Sequence, residues 1–183
     1  NGIKTLVLDG KSYDDVKREI GILAALTGEQ KKGEELVQKM DSDLDAVRRS
    51  IPQEKKRVAI IHSTGQGLSV QLDGSIAGCI ANMLGWENTA AGMPALDKNP
   101  DAAPYSMETL VAQNPDILFV TSMGDEAEIR ASMEAMFADN PAWQSVTAIR
   151  EGRVYYLPQE MFLFSPGLDY PAAAKYMAGL VYP

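Results

Sequence analysis

The stretch YSMETLVAQNPDILFVTS, residues 105–122, decides how the rest of the chain reads. Ser106 is a helix-capping residue type, and Leu110 and Val111 follow on one face. Asn114-Pro115 ends that helix, because proline bars the residue before it from helical geometry. Residues 117–122 are apolar at first and rich in β-formers, and the run closes at Gly124, a turn residue. A short apolar run of this kind marks a strand buried on both faces, as in a parallel sheet. The stretch is therefore helix, tight turn, strand, loop, which is half of a βαβ unit. Glu108 falls in the first turn of the helix, where the helix dipole favours a carboxylate. On local pattern alone it is a solvated N-terminal glutamate.

Working outward, residues 126–137 predict another helix, opened by Asp125, Glu126 and Glu128, whose charges the dipole explains without any chemistry. Asn140-Pro141 starts a turn and a short helical piece over 143–146. RVYYL, residues 153–157, predicts a strand, 158–167 a loop and 170–181 a closing helix. Upstream, residues 58–62 predict a strand, followed by the loop STGQGLSVQLDG with a short extended piece at 70–72. Residues 75–84 form a helix that stops at Gly85, and 88–103 are loop-like. Strands alternating with helices give an α/β fold with a parallel or mostly parallel sheet and helices on both faces.

Before residue 52 the pattern differs. Ser12 caps a helix with Asp14 and Asp15 in its first turn and Val16, Ile20, Leu23 and Leu26 as its stripe; Thr27-Gly28 ends it. A second helix runs over about 30–49, its stripe being Leu36, Val37, Met40, Leu44 and Val47 and its remaining face densely charged. IKTLVL, residues 3–8, predicts a strand with no βα partner in its own half. The natural explanation is a sheet lying upstream of this chain, and any targeting segment is expected there too.

Composition narrows the function. The 183 residues are 45% hydrophobic and 23% charged, the profile of a globular domain, and the net charge of −8 argues against nucleic acid, which needs a basic face. Cys79 is the single cysteine, sits in the apolar run IAGCIANML and reads as a small core residue. No apolar run approaches the roughly 18 residues of a membrane span. His62 is the single histidine, STGQG lacks the Lys-Ser/Thr of a P-loop, and there is no GxSxG elbow. With no nucleophile–base pair, an enzyme is not expected. What remains is the set of loops after strand C-termini, where open α/β sheets bind ligands. His62, Ser63, Thr64 and Gln66 follow the first central strand, Met123 and Gly124 the second, and Met161, Phe162 and Phe164 the third. Soft, aromatic and amide groups converging on one edge suit a large, partly apolar ligand. A standalone flavodoxin-like or nucleotide-binding domain is the alternative at this level.

Five segments in order resemble a known family, the substrate-binding proteins of ABC importers for heme, iron–siderophore and cobalamin, which have a periplasmic-binding fold with a rigid helical linker. Residues 2–40 are similar to the last strand of the family's N-lobe and the connecting helices. GSIAGCIANMLGWENTA resembles the first C-lobe helix, YSMETLVAQNPDILFVTS its S-x-E-x-L…N-P-D element, and AWQSVTAIREGRVYYLP with the final YMAGLVYP its closing strand and helix. The resemblance implies a three-layer α/β/α lobe with a mostly parallel sheet. It divides the chain into the last strand of a largely missing N-lobe (1–11), inter-lobe linker helices (12–51) and a complete C-lobe (52–183).

The resemblance also implies function. The protein would be a non-enzymatic, extracytoplasmic component, periplasmic or a cell-surface lipoprotein, with no resident cofactor. It would capture an iron chelate, heme or cobalamin and deliver it to an ABC permease. Glu108 matches the family glutamate that pairs with permease arginines. Heme would accept His62 or Met123 as axial ligand, and cobalamin would use Gln66, Phe162 and Phe164. Anionic ferric siderophores call for arginines, but Arg57, Arg130, Arg150 and Arg153 all fall outside the three loops. The strand 3–8, deprived of a sheet, is expected to self-associate.

Overall fold

The run at the heart of the sequence is a strand buried along its whole length. In the computed structural model, which describes residues 2–183, all six residues Ile117–Ser122 are buried. Burying a side chain such as Leu118 or Phe119 contributes about 1.5–3 kcal/mol, so this strand holds the fold from both sides.

In chain order the elements are α1 (Tyr13–Thr27), α2 (Gln30–Ser50), β1 (Arg57–Thr64), β2 (Gly67–Gln71), α3 (Ile76–Met83), β3 (Glu87–Asn88) and β4 (Ala102–Pro104). Then come α4 (Met107–Gln113), β5 (Ile117–Ser122), α5 (Glu126–Asp139), α6 (Pro141–Gln144), α7 (Thr147–Arg150), β6 (Val154–Tyr156), α8 (Gln159–Phe162), a 3-10 turn (Gly167–Asp169) and α9 (Tyr170–Val181). The sheet runs β4-β2-β1-β5-β6, with β3 also paired to β1. The central strands β1, β5 and β6 are parallel, as the alternation predicts, while β2 is antiparallel to β1 and to β4.

Side-chain alternation sorts the core into two layers. Val58, Ile60, Ile117 and Phe119 face a cluster built with α1, α2, α3 and α9. Ala59, Ile61, Leu118 and Val120 face a second cluster holding Leu110 of α4, Met133 and Phe137 of α5 and Trp143 of α6. Helices thus cover both faces of a mostly parallel sheet, giving three layers, α/β/α.

The caps explain several element ends. Ser12 forms a capping box with Asp15, and Gly28 closes α1 in the left-handed region (φ 74°). Ser106 Oγ accepts from Thr109 N (3.2 Å), and Asn114 closes α4 at φ 42°. Among the described residues Asn114 is the single non-glycine residue with positive φ. Its side-chain oxygen accepts from Thr147 N (2.8 Å), which ties α4 to α7.

Three readings of the sequence change. Residues 3–8 form no strand; Ile3 (81%) and Val7 (82%) are exposed, and among the described residues no strand pairs with them. A strand exists only where its backbone groups find a partner. Asn1, the first residue of the expected N-lobe span, lies outside the described residues. The helices of 12–51 lie against the sheet through their apolar stripes, as their pattern predicts: Tyr13, Val16, Met40, Leu44 and Val47 belong to the same cluster as the sheet. β1 extends to Thr64 and turns tightly through Gly65-Gln66 into β2, so most of the expected loop is a hairpin. Finally, the loop-like spans 88–103 and 158–167 contain the start of β4 and all of α8, elements too short to show a period.

Candidate ligand-binding site

The hairpin sets the site. From the end of β1 the chain turns to one side into β2, and it returns to the other side of β1 as β5. The C-terminal end of β1 is therefore where connections diverge, the place where open α/β sheets form a crevice. A cleft of about 510 Å³ opens there.

Its sheet wall follows from register. His62 pairs with Ser69 across the β1–β2 ladder, so both point to one face, and Gln71, two residues on, points the same way. All three line the cleft. The start of α3 supplies Gly74, Ser75 and Ile76, and the segment before β4 supplies Asn99 and Asp101. Phe162 and Phe164 come from α8 and the turn after it. The remaining wall is the incoming chain, residues 8–11. That segment is pinned: Ser165 Oγ donates to Gly10 O (2.6 Å), the Tyr170 hydroxyl donates to Lys11 O, and Lys11 Nζ pairs with Asp101 Oδ2 (3.2 Å). The hydrogen bond and charge of Asp101 hold the Lys11 ammonium above its usual pKa.

His62 is half-buried, and its Nδ1 lies 3.0 Å from Thr121 Oγ1. Burial pushes its pKa below 6.5, so it is neutral at physiological pH. Gln71 is buried (8% exposed), and its Oε1 has no partner. The Ser75 hydroxyl is occupied, donating to Leu72 O and accepting from Gly78 N as the cap of α3.

Of the residues singled out in the sequence, the structure brings His62, Phe162 and Phe164 together in the cleft. Ser63 is buried on the other face of β1, its carbonyl accepting from Met123 N (3.3 Å). Thr64 and Gln66 lie at the hairpin turn, Gln66 N donating to Thr64 Oγ1 (3.2 Å). Met123 (57% exposed) and Gly124 leave β5 away from the cleft, and the Gly124 carbonyl accepts from Gln159 Nε2 (3.1 Å). Met161 packs against the first core cluster. Lying outside the lining, Met123 is less well placed than His62 to reach a ligand held there. Sequence reading missed Ser69, Gln71 and Asp101. The alternation in GLSVQ would have found the first two, had that stretch been read as the return strand of a hairpin.

Glu108 is exposed in the first turn of α4 and enters none of the ion pairs among the described residues. β4 runs parallel to β1 and delivers the chain to α4, so Glu108 stands at the same end of the sheet as the cleft. No helix among the described residues is long and apolar enough to cross a membrane.

Comparison with known proteins places this geometry. The chain is 27% identical over 146 residues to the iron-uptake system-binding protein of Bacillus subtilis (strain 168), an alignment covering 76% of this chain and 44% of that protein. The chain thus spans less than half the length of this curated relative. In fold it is similar to an ABC transporter substrate-binding protein from Listeria monocytogenes EGD-e (TM-score 0.82, 24% identity), over 97% of this chain and 67% of the other. It is also similar to S. aureus IsdE complexed with heme (TM-score 0.81, 21% identity), over 99% and 69% respectively. Residues 1–161 match the family described as periplasmic binding protein. With its three-layer α/β/α sheet and a cleft at the C-terminal strand ends, the chain belongs to the periplasmic binding protein family.

Proposed function

We propose that this chain is one lobe, with its connecting helices, of the extracytoplasmic substrate-binding component of an ABC importer. It captures an iron chelate, either a siderophore or heme, or else cobalamin, and delivers it to the membrane permease. The observation that carries this reading is the cleft at the end of β1, where His62 and two phenylalanines meet polar groups, Asp9, Lys11 and Asp101 among them, in a space of about 510 Å³. That is a partly apolar receptacle of ligand size. The relatives named for iron uptake and for bound heme support the same class. In this reading residues 1–11 enter from a preceding lobe that supplies the facing wall, residues 12–51 connect the lobes, and 52–183 form the C-terminal lobe. Glu108 meets a permease arginine, since an exposed carboxylate at the cleft edge is free to pair with a partner's cation. Residues 3–8, exposed and apolar, associate with a second copy when their own lobe is absent.

The test is titration of the two-lobed protein with hemin, cobalamin and ferric chelates, followed by absorbance and tryptophan fluorescence. Saturable binding of one of them is expected, with much weaker binding by residues 1–183 alone. Tight, stoichiometric binding by residues 1–183 alone would move the site away from the inter-lobe cleft.

A further inference from the structure

The cleft contains a polar group with no task inside the protein. Gln71 is more than nine-tenths buried, yet its Oε1 has no hydrogen-bond partner. Its backbone is fully used: it pairs with Ala102 in β4, and its carbonyl accepts from Asn88 Nδ2 (3.0 Å). The side chain is therefore held in place by a paired strand while its buried amide oxygen goes unsatisfied, an arrangement the fold alone does not reward. The amide lies on the cleft wall two residues from Ser69 and on the same face as His62. Rotation about its last torsion, which is soft and roughly two-fold, turns either Oε1 or Nε2 towards the cleft. It can accept from an N–H or donate to a carbonyl.

The charge of the same wall is the second observation. One cation, Lys11, lines the cleft beside two carboxylates, Asp9 and Asp101, and its ammonium is already paired with Asp101 at 3.2 Å. His62 is neutral, and no arginine is among the lining residues. Beside the N-terminus of α3, this wall offers no unpaired cationic side chain to an anionic ligand, and its charged side chains sum to −1.

Resting on the iron-chelate reading above, we propose that Gln71 is a ligand-contacting, specificity-determining residue. The chelate it receives presents an uncharged, amide-bearing face, as a ferric trihydroxamate with amide groups does. Three hydroxamate monoanions cancel the charge of Fe3+, so such a chelate carries no net charge to the wall. Its amides supply the donor or acceptor that Gln71 lacks. A ferric tricatecholate is a trianion and heme carries two carboxylates, and both would meet a wall of net negative charge whose one cation is already paired with Asp101.

The experiment titrates the two-lobed protein and its Gln71→Leu variant with an amide-bearing ferric trihydroxamate, a ferric tricatecholate and hemin. Wild-type protein is expected to bind the trihydroxamate most tightly, and Gln71→Leu to weaken that binding by about tenfold or more. If the leucine variant does not fold, Gln71→Met, unbranched and similar in length, makes the same comparison. Equal trihydroxamate affinity in wild type and variant overturns the role of Gln71 while leaving iron-chelate capture standing. Tighter wild-type binding of hemin or the tricatecholate overturns the ligand class. Binding of none of the three overturns the iron-chelate reading, and this inference with it.

Discussion

His62 Nδ1 stands 3.0 Å from Oγ1 of Thr121, its register partner on the neighbouring parallel strand. The Thr121 hydroxyl also donates to Ile61 O (3.4 Å), so its oxygen is free to accept and Nδ1 carries the imidazole proton. Nε2 then keeps its lone pair, on a residue that lines the cleft. A histidine held in this way is oriented and neutral, and a ligand can be read by its free nitrogen.

Burial lowers the His62 pKa in the folded chain below its ordinary 6.5. In the window between the depressed value and 6.5 the unfolded chain binds more protons, so stability rises with pH there. The contribution is fully present above pH 6.5 and is lost as pH falls through the folded value. Because His62 is the single histidine, its proton resonances report this directly. An NMR titration should give a midpoint below 6.5, and His62→Gln should remove that component from the pH dependence of the urea midpoint. A midpoint above 6.5 would mean that an anion, not desolvation, controls the ring. Thr121→Val, which deletes the acceptor, should cost about 1 kcal/mol in the same unfolding assay.

Asn114 combines a left-handed backbone (φ 42°) with a side-chain hydrogen bond to Thr147 N (2.8 Å). Asn114→Ala should lose both the tolerance for αL and the bond, costing about 1–3 kcal/mol in chemical denaturation. Asn114→Gly restores the backbone freedom and should recover part of that loss. Equal costs for the two variants would assign the whole effect to the hydrogen bond.

Glu108 is exposed and makes no ion pair among the described residues, so its replacement has little to disturb in the fold. Glu108→Ala and Glu108→Arg should leave unfolding midpoints and ligand affinity near wild type. Both should weaken permease binding and uptake, the reversal more than the truncation. Raising salt should shrink the gap between wild type and variants, because rim charge pairs are screened. Intact permease binding with collapsed ligand affinity would place Glu108 in the cleft instead.

Residues 3–8 expose Ile3, Leu6 and Val7 without a strand partner among the described residues. The isolated chain is expected to associate as its concentration rises, and Leu6→Lys with Val7→Lys to suppress this. Sedimentation velocity decides it: a concentration-independent monomer in the unaltered chain refutes association through this segment.

The elements best legible in the sequence are those whose determinants are local. The buried run of β5 needs six residues to declare itself, the proline after Asn114 ends α4, and Ser12 with Asp15 marks the start of α1. The closing helix Tyr170–Val181 falls where its pattern predicts. Elements of three or four residues, such as β4 and α8, carry no period, and their sequences look like loop. Residues 3–8 show the converse, a strand-like pattern without the strand, since pattern supplies side chains but not a hydrogen-bonding neighbour.

The sequence by itself determined the α/β class, the central parallel strands and the end of the sheet at which a site belongs, because hydrophobic period and chain direction are properties of short stretches. Only the tertiary structure decided which groups meet there. His62, Gln71, Asp101 and Phe162 come together because β1 folds back on β2 in one register, β4 adds to the far side, and α8 packs across the end. Shifting the hairpin by one residue would turn Ser69 and Gln71 to the opposite face. The same packing left Ser63 and Met123 outside the cleft although each adjoins a strand end. Alternation along a strand says that two side chains share a face; which neighbour lies beside them is settled by hydrogen bonds between strands distant in sequence.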